Sequence, residues 1–443
     1  MSNHSIIRIT KELADIQKNS DLSLAVACRD VDVRNVKAII IGPSDSPYEF
    51  GFFEFAVKFS KDYPGKAPTV TATTTNGGRC RFNPNIYAQG KVCLTWKGES
   101  GEEWSSAQGL ESILISIQSL MSSNPYENEP GFETANDDGD KKNQRAYIAK
   151  IRHESLRITV IQRLEEYLGL SPSGVVIPQS SINSEDSDQD DDVVGELEES
   201  VNFEPFKDLC KRRLLWYFDS YLLAISKAKV EVKDGQPFTR MPFECSSNCM
   251  EGKFNYTELE KRLRVIKKAL DDETRRWAME GLVIKKREGT AAANLQRQFE
   301  QVVEAYKRDK NVTLTIELAD NNPFVWEITY FGRPMTNLDG GLFRIKLCFS
   351  PRFPEEQPRA KFETRLFHHR IAPDGTPCYT VKRVEDAKSH IEAIIEALEE
   401  ESPPYDPRTL VNPDAAKLFW GSPDDRKMYN RMLRRMVQRS VEE

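Results

Sequence analysis

A chain of 443 residues is too long for one ordinary domain, so two or three are expected. Hydrophobic residues at 39% and charged residues at 30% suit a soluble globular protein, and a net charge of −7 gives no global electrostatic case for binding nucleic acid. No apolar run reaches the roughly 18 residues a membrane span needs, and the start, MSNHSIIRITKELADIQKN, lacks the apolar core of a secretory signal. Eight scattered cysteines without a dense framework fit reduced thiols of the cytoplasm or nucleus.

Ile6, Ile9, Leu13 and Ile16 recur at helical spacing and predict a first helix. Strand-like runs follow at VKAIIIG, FFEFAVKF and PTVTATT, then a second helix with Leu110, Ile113, Leu114, Ile117 and Met121 on one face. A helix, three or four strands, a loop-rich stretch and further helices imply an α+β domain with an antiparallel sheet over residues 1–170. Residues 171–204 form an acidic linker: nine acids and no Lys or Arg fall between Glu185 and Glu199. Such a stretch repels itself and predicts a disordered connection, with an acidic docking tail for a basic partner as the functional alternative. Residues 205–288 read mainly as helix. Their stripe of Leu259, Leu263, Ile266 and Leu270 is read as core packing rather than a partner groove.

From about residue 289 to 443 the first pattern returns. Leu295, Phe299, Val302 and Tyr306 make a helix face, NVTLTIEL, FVWEITYFG and LFRIKLCF read as strands, and Ile391, Ile394, Ile395 and Leu398 mark a later helix. The spacing supports an internal repeat. Gly42 to Tyr63 and Gly332 to Phe353 are both 21 residues, and Phe82 to Cys93 and Phe367 to Cys378 are both 11. Between these blocks the first copy is five residues longer, around TTTNGGRCR, where an insertion in a loop costs little.

The segment FNPNIYAQGKVCLTW suits acyl transfer through sulfur. A thiolate is both a strong nucleophile and a good leaving group, so Cys93 can accept an acyl chain and pass it on. Attack on a thioester creates an oxyanion that needs a preplaced donor. The amide of Asn85, eight residues earlier, supplies one if the loop folds back, and Pro84 stiffens that loop. No histidine adjoins Cys93 in sequence, although one from elsewhere, such as His153, could serve as in a cysteine hydrolase. Transfer to a lysine needs instead an acidic or polar group that positions the amine and receives its proton. Cys28, Cys80, Cys210 and Cys348 lack supporting motifs and read as structural. Neither the Cys245/Cys249 pair nor the set His368, His369, Cys378 and His390 is read as a metal site, and no cofactor is called for. Trp104 reads as core, and Arg8 and Lys11 lie on the polar side of the first helix.

Residues 1–170 resemble the ubiquitin-conjugating enzyme family through RITKEL, GPSDSPYEFGFFEFAVKF, DYPGKAP, FNPNIYAQGKVCL, EEWSSAQGLESILISIQSLM and NPYENEP. The family's His-Pro-Asn signature stands as Asn83-Pro84-Asn85, and its Asn-to-Cys spacing of eight is kept. The resemblance implies a four-stranded antiparallel sheet flanked by helices, Cys93 as the thioester cysteine and Asn85 as the oxyanion or loop-ordering asparagine. It implies an acidic gate to the lysine path within Tyr126-Glu127-Asn128-Glu129, with Glu127 aligning best and Glu129 next. Tyr63-Pro64 matches a family turn, and the resemblance implies a cis bond there. The sequence departs from the family at Asn83, at Ser106 in Trp104-Ser105-Ser106-Ala107, and in the longer loop LTWKGESGEE. FNYTELEKRL together with ISIQSLMSSNPYENEPGFE is similar to the large Z-type members. These carry a helical extension after the catalytic domain, use a dedicated activating enzyme, and can carry a ubiquitin-like modifier as well as ubiquitin. This implies that residues 205–288 pack against the first domain. The implied partners are ubiquitin or a relative, an activating enzyme, a ligase and substrate proteins, with no nucleic acid and no membrane.

Residues 289–443 resemble the same fold more weakly, through FVWEITYFGRP, FSPRFPEEQP, FHHRIAPDGTPC and SPPYDPRTLVNPDAAKLF. Cys378 occupies the catalytic position, Arg370 replaces the asparagine, His369 the proline, and Pro377 precedes the cysteine. The tryptophan loop is missing. A catalytically inactive repeat is the favoured reading. Two alternatives stay open: activity in both copies, with Arg370 as a permanent oxyanion donor, and a ubiquitin-binding scaffold without catalysis.

Overall fold

Apolar residues alternate along the strands of both copies, and the alternation decides which sheet face is buried. The computed structural model describes residues 2–18, 21–94, 104–134, 136–173, 203–245, 249–309 and 313–442. The acidic stretch at 181–200 lies outside the described residues, as do Trp96 and most of the loop after Cys93. The chain divides into two compact units, Met1–Cys210 with Ala224–Ile266, and Lys211–Leu223 with Lys267–Glu443.

The first unit opens with helix α1 (Ser2–Lys18), followed by strands β1 (Leu24–Arg29), β2 (Asp32–Ile41), β3 (Phe52–Lys58) and β4 (Thr69–Ala72). They form an antiparallel meander in the order β1-β2-β3-β4. The register pairs Val36 with Val57, Ala38 with Phe55 and Ile40 with Phe53. All six residues enter one core with Ile9, Leu13 and Ile16 of α1 and with Leu110, Ile113, Leu114 and Ile117 of α2 (Leu110–Leu120). The stripe on α1 differs at one point from the sequence reading. Ile6 is exposed, and the buried residue one turn before Ile9 is Ser5, whose hydroxyl accepts from Arg34 at 2.6 Å.

Helix α3 (Asp138–Glu154) runs through a π-helical stretch, Ser155–Gln162, into α4 (Arg163–Leu168). The Thr159 hydroxyl accepts the Phe52 amide at 3.1 Å and Tyr167 donates to Glu54 at 3.1 Å, so this helical run caps the outer face of β3.

Helices α5 (Lys207–Glu231) and α6 (Tyr256–Lys286) each contribute to both units. Of the predicted helical extension over 205–288, residues 205–210 and 224–266 fold with the first sheet, and 211–223 and 267–288 with the second. In the first unit the attachment is chemical as well as apolar. Met241 and Met250 join the core, and Lys150 is fully buried 2.7 Å from Glu244. Removing either charge would strand the other, at a cost of about 3–5 kcal/mol.

The second unit repeats the plan with α7 (Thr290–Arg308), β5 (Leu314–Leu318), β6 (Val325–Phe331), β7 (Leu342–Cys348), β8 (Arg359–Phe362) and α8 (Ala387–Glu399). It ends in α9 (Pro413–Phe419) and α10 (Pro423–Arg439). Its sheet has the order β5-β6-β7-β8 and pairs Trp326 with Leu347, Ile328 with Ile345 and Tyr330 with Phe343. The repeat extends to close backbone approaches. A Cβ on Gly42 would stand 1.8 Å from the Tyr48 carbonyl oxygen, and one on Gly332 1.8 Å from that of Leu338, so glycine is required at both. Tyr63-Pro64 and Phe353-Pro354 are both cis.

Candidate functional site

The loop from Phe82 to Cys93 folds back on itself because buried side chains hold its start. Tyr48 donates to the Phe82 carbonyl at 2.7 Å. Asn83, fully buried, donates to Tyr48 Oη at 3.0 Å and to the Leu120 carbonyl at 2.7 Å. Its own Oδ1 accepts the Asn85 amide at 2.8 Å, a local turn that asparagine forms readily. Gly90, at φ +87°, lets the return strand approach β4, where the Ala72 amide donates to the Gly90 carbonyl at 2.8 Å. The loop then closes with the Cys93 amide donating to the Asn85 carbonyl at 2.8 Å. Cys93 and Asn85, eight residues apart in sequence, are neighbours in space, and both are half-buried. The substitution of Asn83 in the signature therefore keeps a loop-ordering side chain in place.

Two further residues belong to this cluster. The Tyr87 pKa is raised, first by burial and then by the negative charge that the Cys93 sulfur can carry nearby. Arg81 stacks over the Tyr87 ring at 4.6 Å and donates to the Pro84 carbonyl at 2.6 Å and to Glu129 at 3.1 Å. Glu129 is thereby tied to the loop that carries Asn85. Glu127 is exposed and accepts from Asn124 at 2.7 Å. Neither Tyr87 nor Arg81 stood out in the sequence. The available signal was their placement, two residues after Asn85 and four before it.

Other candidates are occupied elsewhere. His153 is 2% exposed, ringed by Phe238, Phe254 and Tyr256, and its Nε2 accepts the Asn255 amide at 3.1 Å. It anchors the 224–266 segment, so the hydrolase-like role for it is corrected. Glu12 accepts from Tyr63 Oη at 2.7 Å and from the Leu110 amide at 2.8 Å, joining α1, the cis-proline turn and α2, and Arg8 pairs with it. Lys11 is exposed. Trp104 is half-buried against the core, with its indole donating to the Pro64 carbonyl at 2.7 Å. Cys249 is half-buried and Cys245 exposed. Among the described residues no group of three or more His, Cys, Asp or Glu is placed to hold a metal ion.

The second copy keeps the same backbone loop with different chemistry. His368 stands where Asn83 does, its Nδ1 accepting the Arg370 amide at 3.1 Å, and the Cys378 amide donates to the Arg370 carbonyl at 2.8 Å. Cys378, however, is 0% exposed. Burial pushes its thiol up to about 12, against the opposing pull of Arg213 and Arg370. Tyr217, on the α5 segment that belongs to this unit, is also fully buried within electrostatic reach of Cys378 and donates to the Arg408 carbonyl at 2.9 Å. The Arg370 guanidinium is paired with Glu400 at 2.9 Å. The histidines are separately engaged. His369 stacks on Phe419 at 3.9 Å with its Nδ1 3.2 Å from Tyr429 Oη, and His390 lies 3.3 Å from Tyr379 Oη and 3.0 Å from the Val384 carbonyl.

The family model for ubiquitin-conjugating enzymes matches residues 8–155 and 294–437. Ubiquitin-conjugating enzyme E2 Z of Xenopus tropicalis is 46% identical over 165 residues, covering 37% of this chain and 52% of that protein. The Homo sapiens protein of the same name is 45% identical over 161 residues, covering 36% and 45%. A probable ubiquitin-conjugating enzyme protein 17 of Caenorhabditis elegans is 39% identical over 170 residues, covering 36% and 23%. The chain thus spans about half the length of the first two relatives, and less of the third.

Proposed function

Because the chain belongs to the ubiquitin-conjugating enzyme family, carries its domain twice and is similar to its Z-type members, we propose that Cys93 is the sulfur on which it carries ubiquitin or a ubiquitin-like protein. The Cys93 sulfur attacks the thioester carbonyl on an activating enzyme. A new carbon–sulfur bond forms, the old one breaks, and the departing thiol takes up the proton Cys93 lost. A lysine amine of the substrate, brought by a ligase, then attacks the same carbonyl carbon. The nitrogen–carbon bond forms as Cys93 leaves, and the amine's proton passes to Glu129 or Glu127. Asn85 donates to the oxyanion in both steps. The chemistry requires a reduced thiol, which fits work in the cytoplasm or nucleus.

The observation that carries this reading is the fold-back that brings Asn85 onto a half-exposed Cys93. Incubation with an activating enzyme, ATP and ubiquitin is expected to give a reductant-sensitive adduct that Cys93→Ala abolishes. An adduct unchanged by Cys93→Ala overturns the reading. Absence of an adduct with several activating enzymes and modifiers would favour a ubiquitin-binding scaffold.

For the second copy a non-catalytic role is favoured by the sealed Cys378 and the Arg370–Glu400 pair. A residual thioester in Cys93→Ala that disappears when Cys378→Ala is added would reverse that assignment.

A further inference from the structure

Helix α10 is anchored by Tyr429, Leu433 and Val437, which recur every four residues and are buried. Its opposite face is therefore fixed toward solvent. After Asp425 no acid occurs until Glu442, while Arg426, Lys427, Arg431, Arg434, Arg435 and Arg439 intervene. Arg426 turns inward over the Phe419 ring and donates to the Phe419 and Glu401 carbonyls. The other five are exposed. Lys427 pairs with Asp424 at 3.0 Å and Arg434 donates to the Asn337 side chain at 2.9 Å. Arg431, Arg435 and Arg439 make no ion pair or side-chain hydrogen bond among the described residues. In a protein of net charge −7 this segregation of cations is a local feature.

We propose that this arginine stripe is a docking surface for an acidic stretch of polypeptide on a partner protein. Arg431, Arg435 and Arg439 recur about every 6 Å along the helix axis. An extended acidic chain presents same-side carboxylates about every 6.6 Å, so the two rows run nearly in step. Guanidinium forks match carboxylates in a bidentate way that ammonium groups do not. Nucleic acid fits less well. The stripe from Lys427 to Arg439 is only about 18 Å long, and Tyr429 is buried rather than offered for stacking.

The test uses a fluorescein-labelled twelve-residue glutamate peptide and the full chain at about 50 mM salt, read by anisotropy. A second full chain, with its nine acids between Glu185 and Glu199 changed to amides, removes competition from the protein's own acidic stretch. Binding to at least one of these chains is expected. It should weaken about tenfold or more in Arg431→Gln/Arg435→Gln/Arg439→Gln, and by a smaller but measurable factor in the corresponding change to Lys, which keeps the charge and loses the bidentate fork. These side chains are exposed, so the melting temperature should not move. No binding to either chain overturns the proposal. So does binding unaffected by the triple change to Gln, or equal binding of a 20-base-pair DNA duplex.

Discussion

The Cys93 amide donates to the Asn85 carbonyl at 2.8 Å, locking the nucleophile candidate and the oxyanion-donor candidate into one backbone turn. The turn is pre-set by Asn83 and repeated in the second copy, where Cys378 donates to Arg370 at the same distance. A shared scaffold with divergent side chains lets the roles of scaffold and chemistry be tested apart.

Asn83 is expected to act through the scaffold. Asn83→Ala deletes a buried group that makes three hydrogen bonds: the Asn85 amide loses its acceptor and Tyr48 Oη a donor, while the Leu120 carbonyl keeps the Asn128 side chain. The cost should be about 1–3 kcal/mol in chemical denaturation of the first unit. Asn83→His should fold and charge with ubiquitin, because His368 already holds the corresponding turn through its Nδ1. Failure of the histidine variant to fold would contradict the equivalence of the two turns.

Asn85 is expected to act through chemistry. In single-turnover discharge to free lysine, Asn85→Ala should slow transfer by about 10²- to 10³-fold, the usual loss of one oxyanion donor. Thermal stability should barely change, since the residue's backbone makes the structural contacts. A large loss of stability with unchanged discharge would assign Asn85 to loop order instead.

Cys378 should be unreactive in the native protein. With its thiol pushed up to about 12, the thiolate is a minute fraction at neutral pH, and the side chain is sealed. Brief iodoacetamide treatment at pH 7.5 followed by peptide mass spectrometry should label Cys93 and spare Cys378 until denaturant is added. Equal labelling of both in the folded state would show the second site to be open.

The buried histidines of the second unit predict acid sensitivity. Burial lowers His368 to about 3 and His390 to about 4, and also lowers His369. Their folded pKa values lie below the unfolded value near 6.5, so the unfolded chain binds more protons and stability falls as pH drops from about 6.5 toward 4. Each should cost roughly 2 kcal/mol at pH 5, an upper figure. Calorimetry should show the second unit's transition moving down between pH 7 and pH 5. A transition that does not move would contradict the neutral, buried assignment.

Much of this was legible in the residues because it is local or periodic. The stripes Ile9–Leu13–Ile16 and Ile391–Ile394–Leu398 are buried as their spacing requires, and the equal spans from Gly42 to Tyr63 and Gly332 to Phe353 reflect two copies of one sheet. The eight-residue step from Asn85 to Cys93 marked the fold-back. Contacts between residues far apart in sequence were not legible. Nothing near Cys378 announced that Tyr217, more than 150 residues earlier, would be buried within its electrostatic reach. Arg81 linking Glu129 to the loop, and Asn255 taking up His153, likewise depend on tertiary placement. Ile6 was misplaced because spacings of three and four fit equally well on a helix, and only packing selects Ser5.

The most direct test locates the acyl group itself. After charging with ubiquitin, rapid digestion at low pH and mass spectrometry should find the thioester-linked ubiquitin C-terminus on the peptide containing Cys93 and on no other cysteine. A thioester mapped to Cys378 or to another cysteine, with Cys93 unmodified, would contradict the account.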